Sequence, residues 1–256
     1  MSSKKNSKVA IVTGGANGIG AAISQSLHKE GMRVVVADRD AEKGLAFATS
    51  INAAFFNIDL TDADACQELV TSTMSQFGQI DILVNNAGFQ HVCPLSEFPE
   101  DIWNAMIEVM LNAPFRLTKY VWPYMQKQQW GRIINMASIH SQVASLNKSA
   151  YIAAKHGLIG LTKTAALEGG ADGITVNAIS PAYVRSALVE GQIADQATSN
   201  NISKEDVMDK ILLKNASIKR LIEPQEVADL VLMLCSENAQ SITGSNLTID
   251  GGWTAQ

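Results

Sequence analysis

Cysteine is scarce in this chain: Cys66, Cys93 and Cys235 are the only three, and no two stand in a C-x-x-C spacing. Such a set supports neither a disulfide framework nor a zinc site. Basic runs are lacking too. With 20 Lys and Arg against 25 Asp and Glu the net charge is -5, and the clustered cations of a nucleic-acid surface are missing. No apolar run approaches the ~18 residues that a membrane span needs, and no apolar stretch follows the polar, basic Met1 to Lys8 as it would in a secretory signal. These absences predict a cytoplasmic protein with neither nucleic acid nor membrane as partner. What remains, 46% hydrophobic and 18% charged over 256 residues, suffices for a large core, and one domain spanning 1–256 is expected.

Along the chain, short β-branched runs alternate with helical patterns. Lys8 to Thr13 (KVAIVT) is too short and too uniformly apolar for a surface helix and stops at Gly14-Gly15, so it reads as a buried strand. A helix is expected from about Gly18, ended by Gly31, with a second strand over Arg33 to Ala37. Helices follow over Glu42 to Ser50, Ala63 to Phe77, Asp101 to Gln128 and Ala150 to Leu167, and strands over Ala53 to Ile58, Ile82 to Val84, Arg132 to Met136 and Ile174 to Ile179. This alternation predicts an α/β fold: a doubly wound, Rossmann-type parallel sheet of about seven strands with helices on both faces. Only Arg185 to Ile222 breaks the rhythm. It is polar and weakly periodic, precedes a helix opened by Pro224 and a last strand at Asn246 to Asp250, and is expected to be a lid.

The first strand–helix junction, Thr13-Gly14-Gly15-Ala16-Asn17-Gly18-Ile19-Gly20, has glycines where a dinucleotide fold needs them. Gly14 permits the turn, Gly18 lets backbone approach a pyrophosphate, and Gly20 lets the helix pack close. Asn17 and Ile19 belong to the same cradle. Asp38, 18 residues past Gly20, stands where a carboxylate accepts from adenosine ribose hydroxyls and repels a 2′-phosphate, which favours NAD over NADP. Arg39 argues the other way, because a guanidinium there holds such a phosphate or stacks on adenine. Asp59-Leu60 and Asn86-Ala87-Gly88 are further strand-end turns, where ligands of open α/β sheets lie.

Tyr151 and Lys155 are four apart in a helical stretch and so share a face. A phenol beside an ammonium in a partly dry cleft is a proton donor and acceptor. T-G-x-x-x-G-I-G at Thr13 to Gly20, N-N-A-G at Asn85 to Gly88, and Ser138 followed by Y-x-x-x-K together resemble the short-chain dehydrogenase/reductase family over essentially the whole chain. The resemblance implies Asn112, Ser138, Tyr151 and Lys155 as catalytic residues. Tyr151 would pass the proton, Lys155 would lower the Tyr151 pKa and hold the nicotinamide ribose, Ser138 would steady the substrate oxygen, and Asn112 would support a water. It also implies that Pro181 and Val184 join the cofactor contacts.

A narrower likeness is to the bacterial soluble D-3-hydroxybutyrate dehydrogenases, through Gly88-Phe89-Gln90-His91, Ser138-Ile139-His140, Val143 to Tyr151, Leu188 to Ile193 and Asp250 to Ala255. It implies that Gln90, His140, Lys148 and Gln192 bind a small 3-hydroxy or 3-oxo carboxylate, that Trp253 closes the pocket, and that the chain is a homotetramer joined through its long helices. Two positions depart from the pattern. Ala182 replaces a usual glycine, and Tyr183 stands where these dehydrogenases often carry tryptophan, so the space beside the substrate methyl could differ. A reductase of 3-oxoacyl thioesters or another secondary alcohol dehydrogenase, and a silent nucleotide-sensing protein, are the alternatives. The first lacks the carboxylate that Lys148 would meet, and the second typically loses the tyrosine or lysine kept here.

Overall fold

The computed structural model describes residues 7–255; the side chains at 187, 188, 192, 195, 196, 199 and 200 lie outside what it describes, as do residues 1–6 of the polar lead-in. Seven strands form one parallel sheet: β1 (Val9–Thr13), β2 (Arg33–Asp38), β3 (Ala54–Asn57), β4 (Ile82–Asn85), β5 (Gly131–Met136), β6 (Ile174–Pro181) and β7 (Asn246–Ile249). Their order is β3-β2-β1-β4-β5-β6-β7, every pairing parallel. The chain thus starts near the middle, runs out to one edge, returns, and runs out to the other. The reversal between β1 and β4 opens a crevice at the carboxyl ends of the strands, where doubly wound sheets bind ligands.

The sheet is apolar on both faces. In β1, Val9 and Ile11 enter one core and Ala10 and Val12 the other, which explains a run without polar alternation. Helices α1 (Gly18–Lys29), α2 (Ala41–Ser50) and α3 (Ala63–Phe77) connect the early strands. Asp40 and Asp62 cap α2 and α3 by accepting backbone N–H groups at their first turns, as N-cap carboxylates do.

The long helix expected over Asp101 to Gln128 is divided. α4 (Glu100–Ile107) passes into a π turn, Glu108–Asn112, and then α5 (Ala113–Gln128). Pro114 has no N–H to close a turn onto Met110, so the backbone widens just ahead of it. α6 (Ser149–Gly169) packs beside this turn, and Gly157 allows the approach: a Cβ there would lie 2.9 Å from Leu111.

The stretch after β6 also departs from expectation. It forms α7 (Ala187–Asn200), α8 (Lys204–Val207) and a second π turn, Met208–Leu212, around a small core that includes Val189, Ile193, Val207, Leu212 and Leu221. Val189, Ile193 and Ala197 recur every four residues, but polar neighbours dilute the stripe, which hid the helix in the sequence. Both ends are tied down where Val184 bridges Ile222. α9 (Pro224–Cys235) then starts with Pro224 at its first position and a reciprocal Glu223–Glu226 capping box.

Candidate active site

Two connected clefts open at the carboxyl edge of the sheet. The larger, about 420 Å³, runs over the first glycine turn and is lined by Gly14, Asn17, Gly18 and Ile19, by Asp38 and Arg39, by Asp59 and Leu60, and by Asn86, Ala87 and Gly88. Every cofactor position predicted at the glycine turn and after β2, β3 and β4 is therefore on one surface, apart from Gly20, which works from behind. A Cβ at Gly20 would lie 2.0 Å from Gly14 O, so only glycine lets α1 begin this close to the turn. Gly14 and Gly18 hold φ of +58° and +51°. Thr13 braces the floor: its Oγ1 accepts from Asn86 N (2.9 Å) and Ala87 N (3.1 Å), locking the end of β1 to that of β4. The Asp38 carboxylate is fixed by backbone N–H groups of Ala16 and Asp40, each at 3.2 Å. A glycine cradle at a helix start, with an oriented carboxylate one strand away, fits the pyrophosphate and ribose of a nicotinamide dinucleotide.

The smaller cleft, about 180 Å³, contains Ser138, Tyr151 and Lys155 together with Gln90, His140, Lys148 and Tyr183, all residues singled out in the sequence. Pro181 and Val184 line this cleft and not the larger one. Ser138 lies two residues past the end of β5 and caps a short 3-10 turn, accepting from His140 N at 3.2 Å. Tyr151 and Lys155 project from one face of α6, with the ammonium 5.6 Å from the phenol ring centroid. Gly88 is open to both clefts, and Met110 from the π turn packs behind it.

Burial dominates the electrostatics. It pushes the Tyr151 phenol above its ordinary range, opposed by a hydrogen bond from Ser138 and reinforced by Tyr183. Burial also pulls Lys155 down to about 8. The Lys155 ammonium donates to Met136 O, the carbonyl at the end of β5, at 2.6 Å. Lys148 is likewise lowered by burial, and His140 is held at about 4 by burial and by the neighbouring Lys148 charge. Their nitrogens lie 3.4 Å apart. With His140 neutral, its Nε2 lone pair can face the ammonium. Gln90 Oε1, on this cleft, is buried without a hydrogen-bond partner, a desolvation cost that a polar ligand would relieve.

Two predicted residues stand apart. Asn112 closes the π turn, lines neither cleft, and gives its amide to Glu108 Oε1 at 2.6 Å, with Arg116 on the other carboxylate oxygen at 2.7 Å. Trp253 packs against the small core of the 185–222 stretch and lines neither cleft. Gln192 lies on α7, and its side chain is outside the described residues. Sequence reading missed Ser186. It borders both clefts and caps α7 by accepting from Val189 N at 3.3 Å; a serine ahead of an acidic-first-turn helix was the available signal.

A family model described as Enoyl-(Acyl carrier protein) reductase matches residues 14–254. An uncharacterized oxidoreductase of Bacillus subtilis, YxjF, is 44% identical over 97% of this chain and 99% of its own. A D-beta-hydroxybutyrate dehydrogenase of Rhizobium meliloti is 42% identical, again over 97% and 99%. An acetoacetyl-CoA reductase of Shinella zoogloeoides is 38% identical over 96% and 98%. Among the described residues no helix is long and apolar enough to cross a membrane.

Proposed function

Since the chain belongs to the short-chain dehydrogenase/reductase family of nicotinamide-dependent oxidoreductases, we propose that its reaction is the NAD-linked interconversion of D-3-hydroxybutyrate and acetoacetate. One observation carries the substrate assignment: a half-buried cation, Lys148, with His140 and Gln90, in the same 180 Å³ pocket as Ser138 and Tyr151. A small acid with a hydroxyl two carbons from its carboxylate spans those two groups of residues. A thioester has no carboxylate to offset the burial of Lys148, and that disfavours the reductase reading.

The cofactor supplies the hydride acceptor or donor; the chain does the rest. Gly14, Asn17, Gly18 and Ile19 hold the pyrophosphate, Asp38 takes the adenosine ribose, and Asp59, Leu60, Asn86, Ala87 and Gly88 wall the adenine-to-nicotinamide path. Pro181 and Val184 close the nicotinamide side from the smaller cleft, with Ser186 between them and the glycine turn. Lys148, His140 and Gln90, joined by Gln192, orient the carboxylate. Ser138 donates to the substrate oxygen, and Tyr151 takes the hydroxyl proton during oxidation and returns it during reduction. Lys155 would hold the nicotinamide ribose hydroxyls, and the positive charge of an oxidised nicotinamide would oppose the upward push of burial on Tyr151. Asn112 serves the proton path from the π turn.

NADH formation with D-3-hydroxybutyrate, its L enantiomer and a 3-hydroxyacyl thioester tests the reading; faster turnover of the thioester would overturn it. Asp38→Ala tests the cofactor choice. It should narrow the preference for NAD over NADP about tenfold by removing repulsion of a 2′-phosphate, whereas an unchanged ratio would assign the choice to Arg39 or the backbone. The same reading makes the protein a homotetramer through α4 to α6, on which Phe115 and Leu167 are 51% and 86% exposed; light scattering checks the mass.

A further inference from the structure

Behind Ser138 lies a row of buried polar groups that the proposed chemistry does not use. Ser141 Oγ donates to Ser138 O at 2.5 Å, Ser141 Oγ and Ser180 Oγ are 3.0 Å apart, and Ser180 Oγ donates to Asn246 Oδ1 at 2.6 Å. Ser138, Ser141 and Ser180 are 7%, 5% and 0% exposed. The row crosses from the turn after β5, through β6, to β7.

Ser141 gives its hydroxyl hydrogen to Ser138 O, which also accepts from Ser141 N at 2.9 Å, and Ser180 gives its own to Asn246 Oδ1. The 3.0 Å contact between the two hydroxyls joins these bonds into one buried row from the Ser138 turn to β7.

We propose that Ser141, Ser180 and Asn246 are positioning residues that hold the Ser138 turn, and through it the Ser138 hydroxyl, in register with Tyr151. This rests on the role given to Ser138 above. A second tie runs the same way, from Gln142 Nε2 to Thr248 Oγ1 at 3.2 Å, so the turn is fastened to β7 twice. β7 leads directly into Gly251, whose carbonyl accepts from Ser217 N (2.8 Å) and Ile218 N (2.9 Å) of the 185–222 stretch. The strand therefore connects the chemistry of the Ser138 turn with the substrate-covering segment. The Ser138 hydrogen bond opposes the effect of burial on Tyr151, so loosening the turn should raise the Tyr151 pKa.

The test compares Ser141→Ala, Ser180→Ala and Ser180→Thr with Ser138→Ala, reading kcat, KM, the pH profile of kcat for oxidation of the acid, and NADH binding by fluorescence. Ser141→Ala should lower kcat about tenfold, the order expected for one lost hydrogen bond, and move the acid limb upward in the direction shown by Ser138→Ala, with NADH binding unchanged. Ser180→Ala should act in the same direction but less, and Ser180→Thr, which keeps the hydroxyl, should restore the profile. The inference is overturned if Ser141→Ala keeps the wild-type limb while Ser138→Ala shifts it, or if Ser180→Ala and Ser180→Thr behave alike. Should Ser141→Ala fail to fold, the Ser180 pair decides alone. A Ser138→Ala variant with wild-type kcat would remove the serine from the proposed chemistry and this inference with it.

Discussion

The two walls of the smaller cleft are built differently. One is made by the turn after β5 and the start of α6, where Tyr151 packs on Met106, Met110, Ala150 and Ala154 and Lys155 is bonded to the carbonyl at the end of β5. The other is made by Tyr183, Ser186 and Val189, at the root of a helical excursion whose core is separate from those of the sheet. Proton transfer needs reacting atoms held within a few tenths of an ångström, so it belongs on rigid elements. Admission of substrate needs a wall that can open without disturbing the sheet, and a segment with its own small core allows that.

The comparison breaks first at Tyr151. If the fixed wall carries the chemistry, Tyr151→Phe should lower kcat by ~10²- to 10⁴-fold, the usual worth of a positioned acid–base group, while NADH affinity stays within about twofold. Turnover within tenfold of wild type would move the proton to another group.

Lys148 stands where the two walls meet, one residue before α6. Lys148→Met should raise KM for the acid ~10²-fold with a smaller change in kcat, because a desolvated charge contact is lost on substrate binding. The free protein should be no less stable, since burial already disfavours the ammonium. A large drop in Tm would make Lys148 structural. His140 gives a smaller effect. Its folded pKa of about 4 lies below the ordinary value, so the unfolded chain binds more protons between the two. Stability should therefore fall as pH drops from about 6.5 toward 4, by at most ~3 kcal/mol; urea titrations of His140→Gln should show a flatter dependence in that window.

How much of this was legible in the sequence follows from how local each feature is. The glycine turn, Asp38 and the i, i+4 pairing of Tyr151 and Lys155 are set by chain geometry over a few residues, and the structure puts them as expected on one edge of the sheet. The π turn at Glu108–Asn112 was not legible, because a helix widened by one residue keeps nearly the same apolar spacing. Nor was the Lys155 contact with Met136 O, which depends on how closely α6 approaches β5. α7 was hidden for the opposite reason: its apolar stripe is only one residue wide and faces a partner core that lies in the same excursion.

The smallest expected effect on activity separates the walls most cleanly. Val207 is fully buried in the excursion core, far in sequence from every residue assigned to the chemistry. Val207→Ala removes two methyl groups there, a loss of about 1–3 kcal/mol for side chains of this kind. If the excursion opens as a unit of its own, that loss appears as easier local opening and leaves the sheet untouched. Amide exchange across 189–212 should then quicken by roughly tenfold or more, which is 1.4 kcal/mol per factor of ten in the opening equilibrium, while β4, β5 and β6 keep their protection. KM for the acid should rise a few-fold and kcat should hold, because closure over the substrate costs more while the Ser138–Tyr151 geometry is unchanged. Adding NAD with a non-reactive short carboxylate should restore protection across 189–212 more than NAD alone does, since the carboxylate draws the excursion toward Lys148. Equal loss of protection in the excursion and in β5 would show one cooperative unit, and the distinction between a fixed wall and an opening one would have to be given up.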